Sequence, residues 1–162
     1  MKKLFAAILM LFTSHALADF NDGVVAHAMG QYDKAFQILL PLAQTSNHAL
    51  AQYYLGVMYS NGQGVPQDFK EAGKWFLSAA QQGTPQAQFR LGELYASGKG
   101  MPQDFEQAYA WFSVASHLGH SKAVESMKAA SEKLSPEEIM EAKRLADEFI
   151  GKYGKKPEES TP

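Results

Sequence analysis

The sequence predicts an all-α protein, a short solenoid of stacked helical hairpins. Three observations carry that expectation. The stretch Ala51–Gly83, AQYYLGVMYSNGQGVPQDFKEAGKWFLSAAQQG, returns as Ala87–Gly119, AQFRLGELYASGKGMPQDFEQAYAWFSVASHLG. The shift is constant at 36 residues, from Ala51 to Ala87 and from Trp75 to Trp111, and a period of that length belongs to arrays of helix pairs. Within each copy the apolar residues recur at helical spacing, and a glycine-rich turn divides the copy in two.

The first 18 residues are set apart. Met1-Lys2-Lys3 is a basic start, Leu4–Phe12 is wholly apolar, and Ala16-Leu17-Ala18 is a small-x-small cleavage pattern. This order predicts a secretory signal peptide cut between Ala18 and Asp19. The apolar run is well short of the roughly 20 residues that a membrane-spanning helix needs. The expected location is therefore periplasmic or secreted. The chain has no cysteine, so neither a disulfide nor thiol chemistry is available. With 46% hydrophobic residues, packing alone can hold one domain.

Residues 19–50 read as a degenerate N-terminal unit. Asp19–Gly30 is a short helix closed by Gly30. A second helix follows from Gln31, with Tyr32, Ala35, Phe36, Leu39, Leu40 and Ala43 on one face. Pro41 sits inside it, and an interior proline costs about 3 kcal/mol or more; the helix either bends or ends there.

Repeat 1 is assigned to residues 51–83. Its first helix, helix A, packs through Ala51, Leu55 and Tyr59, with Gly56 leaving room for a neighbouring helix. Ser60–Gln67 is the turn. Asp68 caps the second helix, helix B, and Glu71 stands at the capping-box position. Ala72, Trp75, Phe76, Ala79 and Ala80 form the apolar stripe of helix B, and Gly83 stops it.

Repeat 2 is assigned to residues 84–119. Thr84-Pro85 opens it as a capping residue followed by a first-position proline. Leu91-Gly92, Tyr95, Asp104, Trp111 and Phe112 repeat the pattern. Residues 120–153 are C-terminal capping helices. Ser121–Leu134 begins a third helix A. Ser135-Pro136-Glu137-Glu138 then starts a helix with Ile139, Ala142, Leu145, Ala146 and Phe149 inward and Glu141, Arg144, Glu148 and Lys152 outward. Residues 154–162 are charged and proline-bearing, the composition of a disordered tail.

The paired set Leu55-Gly56, Tyr59, Gly62-x-Gly64, Asp68, Trp75 and Gly83, matched by Leu91-Gly92, Tyr95, Gly98-x-Gly100, Asp104, Trp111 and Gly119, resembles the Sel-one-like repeat family, relatives of the tetratricopeptide repeats. The resemblance is strong over 51–119 and weaker in the flanks. It implies right-handed superhelical stacking, a concave face lined by A helices, and an adaptor or scaffold role in protein complexes of the bacterial envelope. Some cysteine-rich relatives are linked to β-lactam binding or hydrolysis. The absence of cysteine and of a Ser-x-x-Lys motif counts against that alternative here.

Residue chemistry points the same way. No Gly-x-Ser-x-Gly motif is present. The Gly62-x-Gly64 and Gly98-x-Gly100 pairs follow helices and lack the Walker spacing of a phosphate loop. His117 and His120 are three apart but flank the helix-breaking Gly119, which argues against a metal pair. A net charge of −2 without a basic cluster argues against nucleic acid. The sequence thus predicts no catalytic, cofactor or metal site. It predicts a protein or peptide partner, met by the A-helix positions that the repeat leaves free. These are Tyr54, Val57 and Asn61, and one repeat later Arg90, Glu93 and Ser97.

Overall fold

The computed structural model describes residues 19–155. The predicted leader lies outside the described residues, as does nearly all of the predicted tail. Among the described residues there are eight helices and no strand: α1 (residues 19–28), α2 (Tyr32–Thr45), α3 (Ala49–Asn61), α4 (Phe69–Gln81), α5 (Pro85–Ser97), α6 (Phe105–His117), α7 (Ala123–Ser131) and α8 (Pro136–Tyr153).

From α2 to α7 each helix packs on its sequence neighbour, the zigzag of a solenoid. The α8 helix breaks the pattern. It leaves α7 and lies back along α6, reaching the edge of α4.

The repeated residues build the same joints twice. The Phe76 ring fills the place where a side chain on Gly56 would stand, 2.5 Å from an ideal Cβ, and Phe112 does the same over Gly92 at 2.6 Å. Each glycine lets a B helix close on its A helix, and each buried Phe contributes about 1.5–3 kcal/mol. The turn glycines Gly64 and Gly100 carry φ of +71° and +75°, and each presses on backbone at the start of an earlier B-type helix, Tyr32 of α2 and Phe69 of α4. Only glycine meets both demands.

The turns are then tied down alike. The Gln67 side chain donates to the Ser60 carbonyl at 2.7 Å, and Gln103 donates to Ala96 at 2.8 Å. The backbone N–H groups of Asp68 and Asp104 donate to the Tyr59 and Tyr95 carbonyls.

Those last bonds correct one expectation. Asp68 caps α4 through the Lys70 and Glu71 N–H groups, yet Glu71 does not close a capping box. The Asp68 N–H is already bound to Tyr59, so Glu71 pairs with Lys74 at 2.7 Å instead. The complete box forms at Ser135 and Glu138, where it opens α8. Thr84 makes no side-chain cap to α5. Pro41 neither ends α2 nor is buried: the helix continues to Thr45, and Pro41 faces outward. Gln37, whose carbonyl loses its helical partner, is exposed too, so the missing bond costs least there.

Candidate interaction grooves on the A helices

The free face of α3 and α5 is shaped by their C-terminal halves and by the turns that follow. Residues three and four apart share a helix face, so Val57 and Asn61 of α3 look toward Arg90, Glu93 and Ser97 of α5. These five of the six sequence-predicted positions line one groove of about 500 Å³. Its floor is Phe69, Phe76 and Leu94, and Gln67 and Lys99 come in from the two turns.

Tyr54 lies outside that groove. It packs against α1, with ring centroids 6.2 Å from Phe20 and 5.4 Å from His27. Arg90 is its equivalent one repeat on. The face that Tyr54 would offer is covered because α1 stands where a preceding A helix would.

Arg90 Nη1 and Glu93 Oε2 are 3.0 Å apart, both about half exposed. Such a pair adds at most about 1 kcal/mol; its consequence is that the two charges offset one another on the groove wall. Burial works against the Arg90 charge, and the Glu93 carboxylate together with Tyr53 outweighs it, leaving the guanidinium pKa above its usual value. Lys99 holds its ammonium 5.2 Å from the centre of the Phe69 ring and takes part in no ion pair among the described residues.

A second groove of about 350 Å³ lies between α5 and α7 and is mostly apolar, floored by Phe105 and Phe112. A smaller hollow of about 230 Å³, beside Phe89 and His120, shares Arg90 and Glu93. His120 stacks on Phe89 at 4.1 Å, whereas His117 is exposed at the end of α6, so the two imidazoles do not converge. No group of three or more metal-ligating side chains is gathered among the described residues.

Sequence reasoning missed the turn residues Gln67 and Lys99 and the floor residue Phe69, because it took the groove to be made by A helices alone. It also missed Gln52 and Gln88. These buried glutamines stand one repeat apart and donate to the carbonyls of Ala43 and Ala80, near the ends of the preceding B-type helices. The recurring Ala-Gln pair at 51–52 and 87–88 was the available clue.

The Sel1 repeat family model matches residues 49–84 and 85–120. The chain carries two Sel1 repeats. Solved structures agree with the Sel1 fold. One is a protective antigen present in uropathogenic Escherichia coli strains that displays an SLR fold. It is 31% identical with a TM-score of 0.81, over 86% of this chain and 30% of that one. Another is a Sel1 repeat protein from Oxalobacter formigenes, 27% identical with a TM-score of 0.64, over 80% of this chain and 55% of that one. The chain thus spans about a third and about half of the length of these two relatives. No curated protein matches it. The Sel1 fold generally serves as a scaffold for protein–protein interaction and is typically non-catalytic. No helix among the described residues is long and apolar enough to cross a membrane.

Proposed function

We propose that this Sel1-repeat chain is a non-enzymatic docking module of the bacterial envelope, which seats a segment of a partner protein on the free face of its A helices. The observation that carries this is the convergence of Val57, Asn61, Arg90, Glu93 and Ser97 on one groove with an aromatic floor. A rigid groove that joins apolar depth to a few polar groups suits a peptide segment. The leader-like first 18 residues support an extracytoplasmic location, as does the antigenic nature of one solved relative.

Site-specific photocrosslinking in living cells tests the proposal. A benzoylphenylalanine at Asn61 or Ser97 is expected to trap a discrete partner, and the same group at Lys143, exposed on α8, is expected to trap little. Equal adducts from all three positions, or a discrete adduct from Lys143 alone, would refute it.

A further inference from the structure

The two larger grooves are copies of one another. Glu93, Ser97, Phe105, Phe112, Ala129 and Lys133 of the second groove stand 36 residues after Val57, Asn61, Phe69, Phe76, Glu93 and Ser97 of the first. The remaining second-groove residues, Ala96, Ser126 and Ala130, follow Ser60, Arg90 and Leu94 by the same shift. The solenoid therefore repeats a binding shape, each copy floored by a pair of phenylalanines, with α5 as the shared wall.

The shape recurs but the chemistry changes. Ser60 gives way to Ala96, Arg90 to Ser126, and Glu93 to Ala129. The α5–α7 groove keeps Glu93, Ser97, Ser126 and Lys133 at its edge, but its surface is chiefly apolar and offers a place for an apolar side chain. The α3–α5 groove keeps its polar lining. There Arg90 and Glu93 offset one another, and Lys99 is left as an uncompensated cation beside Phe69. A carboxylate is the complement of that charge.

Resting on the docking function proposed above, we infer that the occupant is one extended segment of a partner protein that uses both grooves together. It places an apolar side chain between α5 and α7 and, further along the same segment, an Asp or Glu beside Lys99.

Panning the purified chain against a phage-displayed random dodecapeptide library tests this. The expected enrichment is an apolar and an acidic residue at one fixed spacing. Fluorescence anisotropy of a selected peptide then reads the grooves separately. Ala129 is exposed, so Ala129→Arg fills the apolar groove without entering the core; it should weaken binding at least tenfold. Lys99→Glu should weaken an acidic peptide at least tenfold and favour its Lys-substituted version. Unchanged circular dichroism melts would show that both variants are folded.

Selected peptides without fixed spacing, or affinity within twofold after Ala129→Arg, would overturn the two-groove inference. The docking reading would survive that result if Arg90→Ala still weakened them. Failure to enrich any peptide sensitive to Arg90→Ala, Lys99→Glu or Ala129→Arg would overturn both.

Discussion

Trp75 and Trp111 occupy the same position in the two repeats, yet Trp111 is 3% exposed while Trp75 is only half-buried. The difference comes from their neighbours. Trp111 lies beneath α8, with Phe149 at 4.7 Å and Tyr153 at 5.4 Å between ring centroids. No ring of α8 pairs with Trp75 as Phe149 and Tyr153 do with Trp111. Trp75 rests on the first core cluster, with Leu39 and Leu55, and its indole N–H finds no hydrogen-bond partner. Phe76 and Phe112 are both buried, each on its own glycine. The inner residues of the motif thus depend on the repeat alone. The tryptophans depend on what the flanking helix does.

The largest test of this contrast removes the two indoles in turn. Trp111→Ala should cost about 3–5 kcal/mol in urea unfolding, the range for a buried aromatic. Trp75→Ala should cost about 2 kcal/mol, since less area returns to water. Equal losses would mean that α8 adds nothing to the packing of Trp111.

A smaller effect separates the flanks from the centre. His48, Thr84 and His120 share one repeat position just before an A helix. His48 accepts the Ala51 N–H and stacks on Phe20 at 4.4 Å; His120 stacks on Phe89. For His48 burial lowers the pKa, partly offset by its backbone hydrogen bond. For His120 burial again leads, aided by Arg90 and Lys122 and opposed by Glu93.

Both rings are therefore held neutral in the folded state, while the unfolded chain protonates near pH 6.5. Below that pH the unfolded state binds more protons, so stability is full above it and falls as pH drops toward the folded pKa values. The urea midpoint should be lower at pH 5.5 than at pH 7.5. A His48→Asn, His120→Phe double variant, which keeps a good N-cap at position 48, should flatten the difference. A wild-type midpoint that does not change across this range would contradict the assignment. The Glu138 and Glu141 carboxyls are depressed by Ser135 and by Arg144 respectively, so their loss belongs to lower pH.

The sequence made the joints legible wherever one residue type answers one local demand. Asp68 and Asp104 as caps, Gly56 and Gly92 under aromatic rings, and Ser135 with Glu138 as a capping box are of this kind. What escaped it depends on residues far apart in the chain. The return of α8 onto α6 rests on Trp111 meeting Phe149 and Tyr153, and on Gln88 donating to the Tyr153 carbonyl at 3.2 Å. Periodicity finds an apolar face on α8 but not the helix that face will meet. The same holds for the candidate grooves. Five stripe residues were readable from helical spacing, whereas Gln67 and Lys99 enter from turns and Phe69 from the start of α4. Tyr54 stands apart from them because α1 packs over it.

The central claim is that partner segments bind along the equivalent grooves of α3, α5 and α7. Amide chemical-shift mapping of the isotopically labelled chain, titrated with the segment recovered by crosslinking, tests it most directly. The account predicts shifts clustered on Val57–Asn61, Arg90–Lys99 and Ser126–Lys133, with α8 unmoved. Shifts concentrated on the outer face of α8, around Glu141 and Arg144, would contradict it.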